Sequence, residues 1–130
     1  MTRLLFTTTW LLCSITCASA APLPPTVRAE VGTLLARLQS SGCQFNRNGA
    51  WYKATEAQAH LLKKLDYLEG KGQVQTTEQF IELAASESST TGQPYAVKCG
   101  ATAQVPSKRW LTDQLKALRA TPANTSVKTK

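Results

Sequence analysis

The chain carries a single histidine, His60, and Glu56 precedes it by four residues, the spacing that sets two side chains one above the other on a helix. That pair is where acid–base chemistry would sit. Glycan cleavage, however, needs two carboxylates flanking the scissile bond, and no second acid stands at a defined spacing opposite Glu56. A wall-active or other envelope hydrolase using Glu56 and His60 is thus an alternative that lacks one of its groups. A helical zinc site wants a second histidine one turn away, so no metal site and no cofactor are expected. The serines of SESSTTG, residues 86–92, lack the G-x-S-x-G frame of a nucleophile elbow, and there is no glycine-rich phosphate loop. Catalysis has no visible seat, and a non-enzymatic role is favoured.

Thiol chemistry depends on the compartment, which the amino terminus addresses. Arg3, the uncharged run Leu4 to Ile15 and the small residues Ala18-Ser19-Ala20 have the form of a signal peptide cleaved near Ala20. The apolar run is too short and too interrupted for a membrane span, so no transmembrane segment is expected after cleavage. A lipoprotein acylated at Cys17 is the minor alternative. Cleavage removes Cys13 and Cys17 from the four cysteines and leaves Cys43 and Cys99. In an oxidising periplasmic or secreted setting these two are expected to pair, which sets aside Cys43 as a nucleophile with His60 as its base.

The elements that hold these groups follow from periodicity. Residues 1–20 read as the signal peptide, 21–25 (APLPP) as an extended leader, 26–119 as one helical domain and 120–130 as a flexible tail. Thr26 stands where a helix cap would, ahead of Val27, Val31, Leu34, Leu35 and Leu38 at helical spacing. A second helix is predicted from Ala50 to Glu69, with Ala54, Ala57, Leu61, Leu65 and Leu68 on its buried stripe. Lys53, Glu56, His60, Lys64 and Tyr67 then share one flank. Thr76 and Gln79 form a capping-box pattern for a third helix bearing Phe80, Ile81, Leu83 and Ala84. Turn-forming residues follow, then a short strand or hairpin near Tyr95–Val105, and a last helix from Pro106-Ser107 with Trp110, Leu111, Leu115 and Leu118. The expected fold is mainly α, about four helices with one small β element and one disulfide.

The stretch SGCQFNRNGAWY, residues 41–52, reads as the corner between the first two helices. Gly42 suits the left-handed position that ends a helix, Asn48 suits a cap, and Phe45, Trp51 and Tyr52 would wedge the corner onto the core. Arg47 is left over, free either to bind loop carbonyls or to present an anion to His60 and Lys64. If the SESSTTG turn folds over the His60 flank, Arg47, His60, Lys64, Ser88, Ser89 and Tyr95 form one polar surface. Whether they form a binding surface or merely satisfy one another is open at this level. A third reading makes the protein an inhibitor of an envelope enzyme, with Gln44 to Gly49 as an exposed probing loop.

The formal charge of +7 falls to +6 when Arg3 is removed with the leader. Lys and Arg are scattered rather than gathered into a stripe with interleaved aromatics, so no nucleic acid is expected as partner. An envelope protein or an anionic envelope component fits the sign of the charge. Asn124-Thr125-Ser126 matches a glycosylation acceptor and is treated as chance.

Together, SGCQFNRNGAWY, the run Ala57 to Leu61 with Lys64, Phe80-Ile81 with Ala84, SSTTGQPY and the pair Trp110-Leu111 resemble the YfeK-like family of small exported bacterial proteins, classed as a domain of unknown function. The resemblance spans about Val27 to Arg119. It implies a periplasmic or surface location and no stated activity. Its pattern picks out Arg47, Asn48, Gly49, Tyr52, His60, Lys64, Ser88, Ser89, Gly92 and Tyr95, which adds Asn48 and Tyr52 to the candidate binding surface.

Overall fold

The computed structural model describes residues 21–121. The segment read as a signal peptide and the Asn124 acceptor lie outside the described residues. Chain order is α1 (Pro25–Ser40), β1 (Gln44–Arg47), β2 (Ala50–Lys53), α2 (Ala54–Gly70), α3 (Thr77–Ala85), β3 (Ala96–Lys98), β4 (Val105–Pro106) and α4 (Ser107–Ala120). The four helices are those expected. The β component is larger than a single hairpin: the strands form one antiparallel sheet in the order β2-β1-β3-β4.

α1 begins on a proline pair, with Pro24 at the cap and Pro25 in the first turn, where a missing N–H costs nothing and the fixed φ is already helical. Thr26 therefore lies inside the helix and does not cap it. Val31, Leu34, Leu35 and Leu38 are fully buried and face α2, α3 and α4. Leu61, Leu65 and Leu68 of α2, Phe80, Ile81 and Ala84 of α3, and Leu111 and Leu115 of α4 complete the core, joined by Leu23 and Val74 from the connecting chain. Leu83, expected among the apolar set of α3, is exposed.

α3 starts as its sequence indicates, the Thr76 hydroxyl accepting the Gln79 amide at 3.1 Å. At the far end of the bundle Arg119 grips Glu30 with two bonds of 2.9 and 2.8 Å and also pairs with Glu78, tying the end of α4 to α1 and α3. Hydrogen bonding from Arg119 holds both carboxyls below the usual carboxylate range.

The expected interhelical corner is instead a β-hairpin. Arg47 pairs with Ala50, which leaves Asn48-Gly49 as a two-residue loop with φ +52° and +83°, the type I′ geometry that Asn-Gly favours because its twist matches that of the strands. Asn48 thus caps no helix, and α2 starts at Ala54 rather than Ala50. The Glu56 carboxylate accepts the Lys53 amide at 2.9 Å to close that start. The hairpin alternates as a strand must: Phe45 and Tyr52 face the interior together, Phe45 meeting the Trp110 ring edge-on at 5.8 Å. Asn46 and Trp51 face the other way. Of the three aromatics expected to wedge the corner, Trp51 is 40% exposed and only Phe45 is in the core.

β1 is an inner strand, paired with β3 as well as β2, in the register Gln44↔Lys98. One step further along that register, Cys43 and Cys99 are joined as a disulfide. The expected bond is present, and it ties together the ends of two paired strands rather than a loop to a strand. Gln44–Arg47 is then a strand and not a probing loop, with Gln44, Phe45 and Asn46 paired on both sides and Arg47 paired to Ala50. Asn48 and Gly49 at the tip are exposed, as is Gln44 at the strand's other end. Among the described residues no helix is long and apolar enough to cross a membrane.

Candidate functional site

Strand alternation puts Arg47 on the same face as Phe45 and Tyr52, beneath the flank of α2 that carries His60 and Lys64. Arg47 Nη1 lies 2.8 Å from Nδ1 and 3.3 Å from Nε2 of His60, and Nη2 donates to the Tyr52 hydroxyl at 3.4 Å. The guanidinium sits 4.8 Å from the centre of the Tyr52 ring. The same His60 Nε2 is 3.4 Å from the Tyr95 hydroxyl, and the two rings meet edge-on at 6.2 Å. Lys64 Nζ stands over the Tyr95 ring at 5.2 Å, within cation–π range.

The segment between α3 and β3 folds over this flank. Its shape comes from its own backbone: the Ser88 amide donates to the Gln93 carbonyl at 2.9 Å and the Gly92 amide to the Ser88 carbonyl at 2.7 Å. Two side chains tie it down. Lys64 Nζ donates to the Glu87 carbonyl at 3.3 Å, and the Thr91 hydroxyl donates to Asn48 Oδ1 at 2.7 Å. Tyr95 is anchored by backbone bonds to Ser86 and Ser107, both 2.9 Å, and is buried.

Electrostatics give each group a definite state. Burial, ahead of the neighbouring charges of Arg47, Lys64 and Lys63, holds the His60 imidazole below its ordinary 6.5. A guanidinium only donates, so the contact suits a neutral ring and opposes an imidazolium. Burial likewise lowers Lys64, with Arg47 adding and Glu87 opposing, and it raises the Tyr95 phenol. At neutral pH the cluster is thus one neutral imidazole between a cation and a protonated phenol. Among the described residues no carboxylate lies within ion-pairing distance of Arg47, Lys63 or Lys64.

Two hollows share the wall made by Arg47, Tyr52, His60 and Tyr95. One, about 350 Å³, has Phe45, Ala57 and Leu61 behind it, with Glu56 and Lys63 also at its edge. The other, about 270 Å³, is closed by Asn48, Ser88, Ser89 and Thr90. Of the eight residues picked from the sequence, Arg47, Asn48, Tyr52, His60, Ser88, Ser89 and Tyr95 line this second hollow, and Lys64 reaches over Tyr95. Ser88 is itself buried, its hydroxyl lying 3.4 Å from the amides of Thr90 and Thr91, whereas Ser89 is exposed.

The first hollow was missed from sequence. Its signal was the two-residue alternation of FNRNGAWY, which puts Phe45, Arg47 and Tyr52 on one side of a hairpin. Glu56 makes no bond to His60, its carboxylate being engaged at the Lys53 amide. Among the described residues no group of three or more His, Cys, Asp or Glu side chains is placed to hold a metal ion.

These elements define a disulfide-closed domain of four helices and a small antiparallel sheet, with a cationic cleft walled by two tyrosines and a histidine. A family of unknown function, DUF5329, matches residues 25–119, and the chain belongs to it. It is similar to the uncharacterized protein YfeK of Salmonella typhimurium strain LT2, with 41% identity over 68 residues, covering 52% of this chain and 55% of that one. The match thus spans about half the length of that relative. The resemblance carried by the sequence motifs is borne out by both comparisons. No solved structure matches the chain.

Proposed function

We propose that the protein is an exported, non-enzymatic envelope protein whose cleft binds a partner through an anionic group. The observation that carries this reading is Arg47: a guanidinium oriented by His60 and Tyr52, lining two hollows, with no carboxylate in ion-pairing reach among the described residues. A preset planar donor of this kind suits a carboxylate or phosphate. Lys64 adds a second cation, which donates to the Glu87 backbone carbonyl and is not ion-paired among the described residues. Because Glu56 is spent on the start of α2, His60 is left without an acid beside it, which favours binding over hydrolysis. The leader-like residues 1–20 support export.

Replacing Lys64 and His60 together by alanine tests the cleft. Pull-down from envelope extract with wild-type protein, read by mass spectrometry, should recover a partner that the double variant loses while its Tm stays within a few degrees. A large fall in Tm, with the same partners recovered, would make the cluster a scaffold only. Export is tested separately by amino-terminal sequencing of the protein from osmotic-shock fluid, with a new terminus expected at Ala21.

A further inference from the structure

We propose that the cleft takes a bipartite ligand of small-molecule size: an anion carried on an aromatic or short aliphatic body. This rests on the reading of the cleft as an anion-binding site and adds which chemistry must accompany the charge. The argument starts from the shared wall. Arg47, Tyr52, His60 and Tyr95 border both hollows, so one molecule touching that wall reaches either side of it. On one side the chain supplies Phe45, Ala57 and Leu61, of which Phe45 and Leu61 belong to the core. On the other it supplies the hydroxyl and amide groups of Asn48, Ser89 and Thr90.

Charge settles which end of the ligand is which. Arg47 is part of the wall and Lys64 stands over Tyr95; among the described residues neither is ion-paired, and desolvation already weighs on Lys64. An anion beside them offsets that cost, and it is best placed where hydroxyl donors complete its shell, on the Ser89 and Thr90 side. The neutral His60 ring and the two phenols then border the body of the ligand, together with Leu61 and Ala57. Size bounds the body: about 350 Å³ sits at the low end of small-ligand sites, roughly 300 to 1,000 Å³. A single ring or a short chain fits, so of a larger partner only an end group of this kind enters. A free solute and the end group of an envelope lipid share this chemistry.

Three probes separate the halves: phenyl phosphate, inorganic phosphate and benzyl alcohol, each titrated into the 15N-labelled mature protein while amide shifts are followed. Phenyl phosphate should give saturable shifts at Phe45, Arg47, Leu61, Ser89 and Thr90. It should bind about tenfold tighter than inorganic phosphate, since burying a ring is worth on the order of that factor. Benzyl alcohol should shift nothing. Arg47→Gln should weaken phenyl phosphate about tenfold, and Lys64→Gln serves the same end should Arg47→Gln not fold. Cosedimentation with phosphatidylglycerol vesicles distinguishes the sources: binding competed by phenyl phosphate assigns the lipid end group, and no sedimentation with phenyl phosphate bound assigns a free solute.

Equal affinity for phenyl phosphate and inorganic phosphate would overturn the bipartite ligand while leaving the anion site standing. Benzyl alcohol binding with neither anion bound would overturn both. Absence of saturable cleft shifts with all three probes at millimolar concentration would overturn them equally.

Discussion

Arg47 Nη1 stands 2.8 Å from Nδ1 of His60 and 3.3 Å from its Nε2. The chain's one imidazole is therefore held against a fixed cation, with the Tyr95 hydroxyl 3.4 Å from Nε2. The contact aims the guanidinium and adds to the burial that keeps the ring neutral.

Burial of His60, with the Arg47 contact adding to it, makes stability depend on pH in a stated direction. The folded state holds His60 below its ordinary 6.5, so as pH falls through that value the unfolded chain takes up the proton first. Stability is then lost between the unfolded and folded values and changes no further from this group below them. Wild-type protein should lose Tm between about pH 7.5 and pH 5.5, and His60→Gln should lose less over the same span. NMR titration of the ring gives the complementary result. Arg47→Gln should raise the His60 pKa only part of the way back, since burial is the larger cause and Arg47 the second.

The disulfide closes a loop with a sequence separation of 56 residues. By loop-closure entropy its loss should cost about 4 kcal/mol, a large fraction of the stability of a domain this size. Urea unfolding of the Cys43→Ser, Cys99→Ser double variant should show this drop, and wild type in dithiothreitol should match it. A reduced protein as stable as the oxidised one would contradict the strand-end clamp.

Two glycines should respond in opposite senses to alanine. Gly49 sits at φ +83° in the hairpin loop, a conformation that L side chains resist, so Gly49→Ala should destabilise by about 1 kcal/mol. Gly32 lies inside α1 with nothing within 4 Å of an added Cβ, so Gly32→Ala should stabilise by about 0.5 to 1 kcal/mol. Thermal melts of both variants check the pair. They also test whether the corner is a hairpin, because a helix-capping corner would not demand the left-handed conformation at that residue.

How much was legible varied with the range of the interactions involved. The buried stripe of α2 on Leu61, Leu65 and Leu68 could be read from spacing alone, since a helix satisfies its own backbone and only its apolar side must find a partner. The Thr76 cap was legible for the same reason: its bond to Gln79 closes within three residues. The hairpin was misread although Asn48-Gly49 announces it, because the glycines, the cysteine and the aromatics of that stretch suit an interhelical corner as well. Arg47 was identified as the residue left over, yet its facing of His60 depended on the alternation of a strand that the sequence reading did not assign.

The amino-acid sequence by itself determined the helices, the turn chemistry, the single cysteine pair in the segment following the leader-like residues and the family to which the chain belongs. Each of these is either encoded within a few residues or is a matter of which letters are present. Tertiary structure alone decided that β1 lies inside a sheet between β2 and β3, and with it which side of Arg47 meets α2. A strand's hydrogen bonds are made to partners remote in the chain, and its two faces exchange with a shift of one residue. The direction in which Arg47 points, and so the cleft, is settled only when Gln44 finds Lys98 across the sheet.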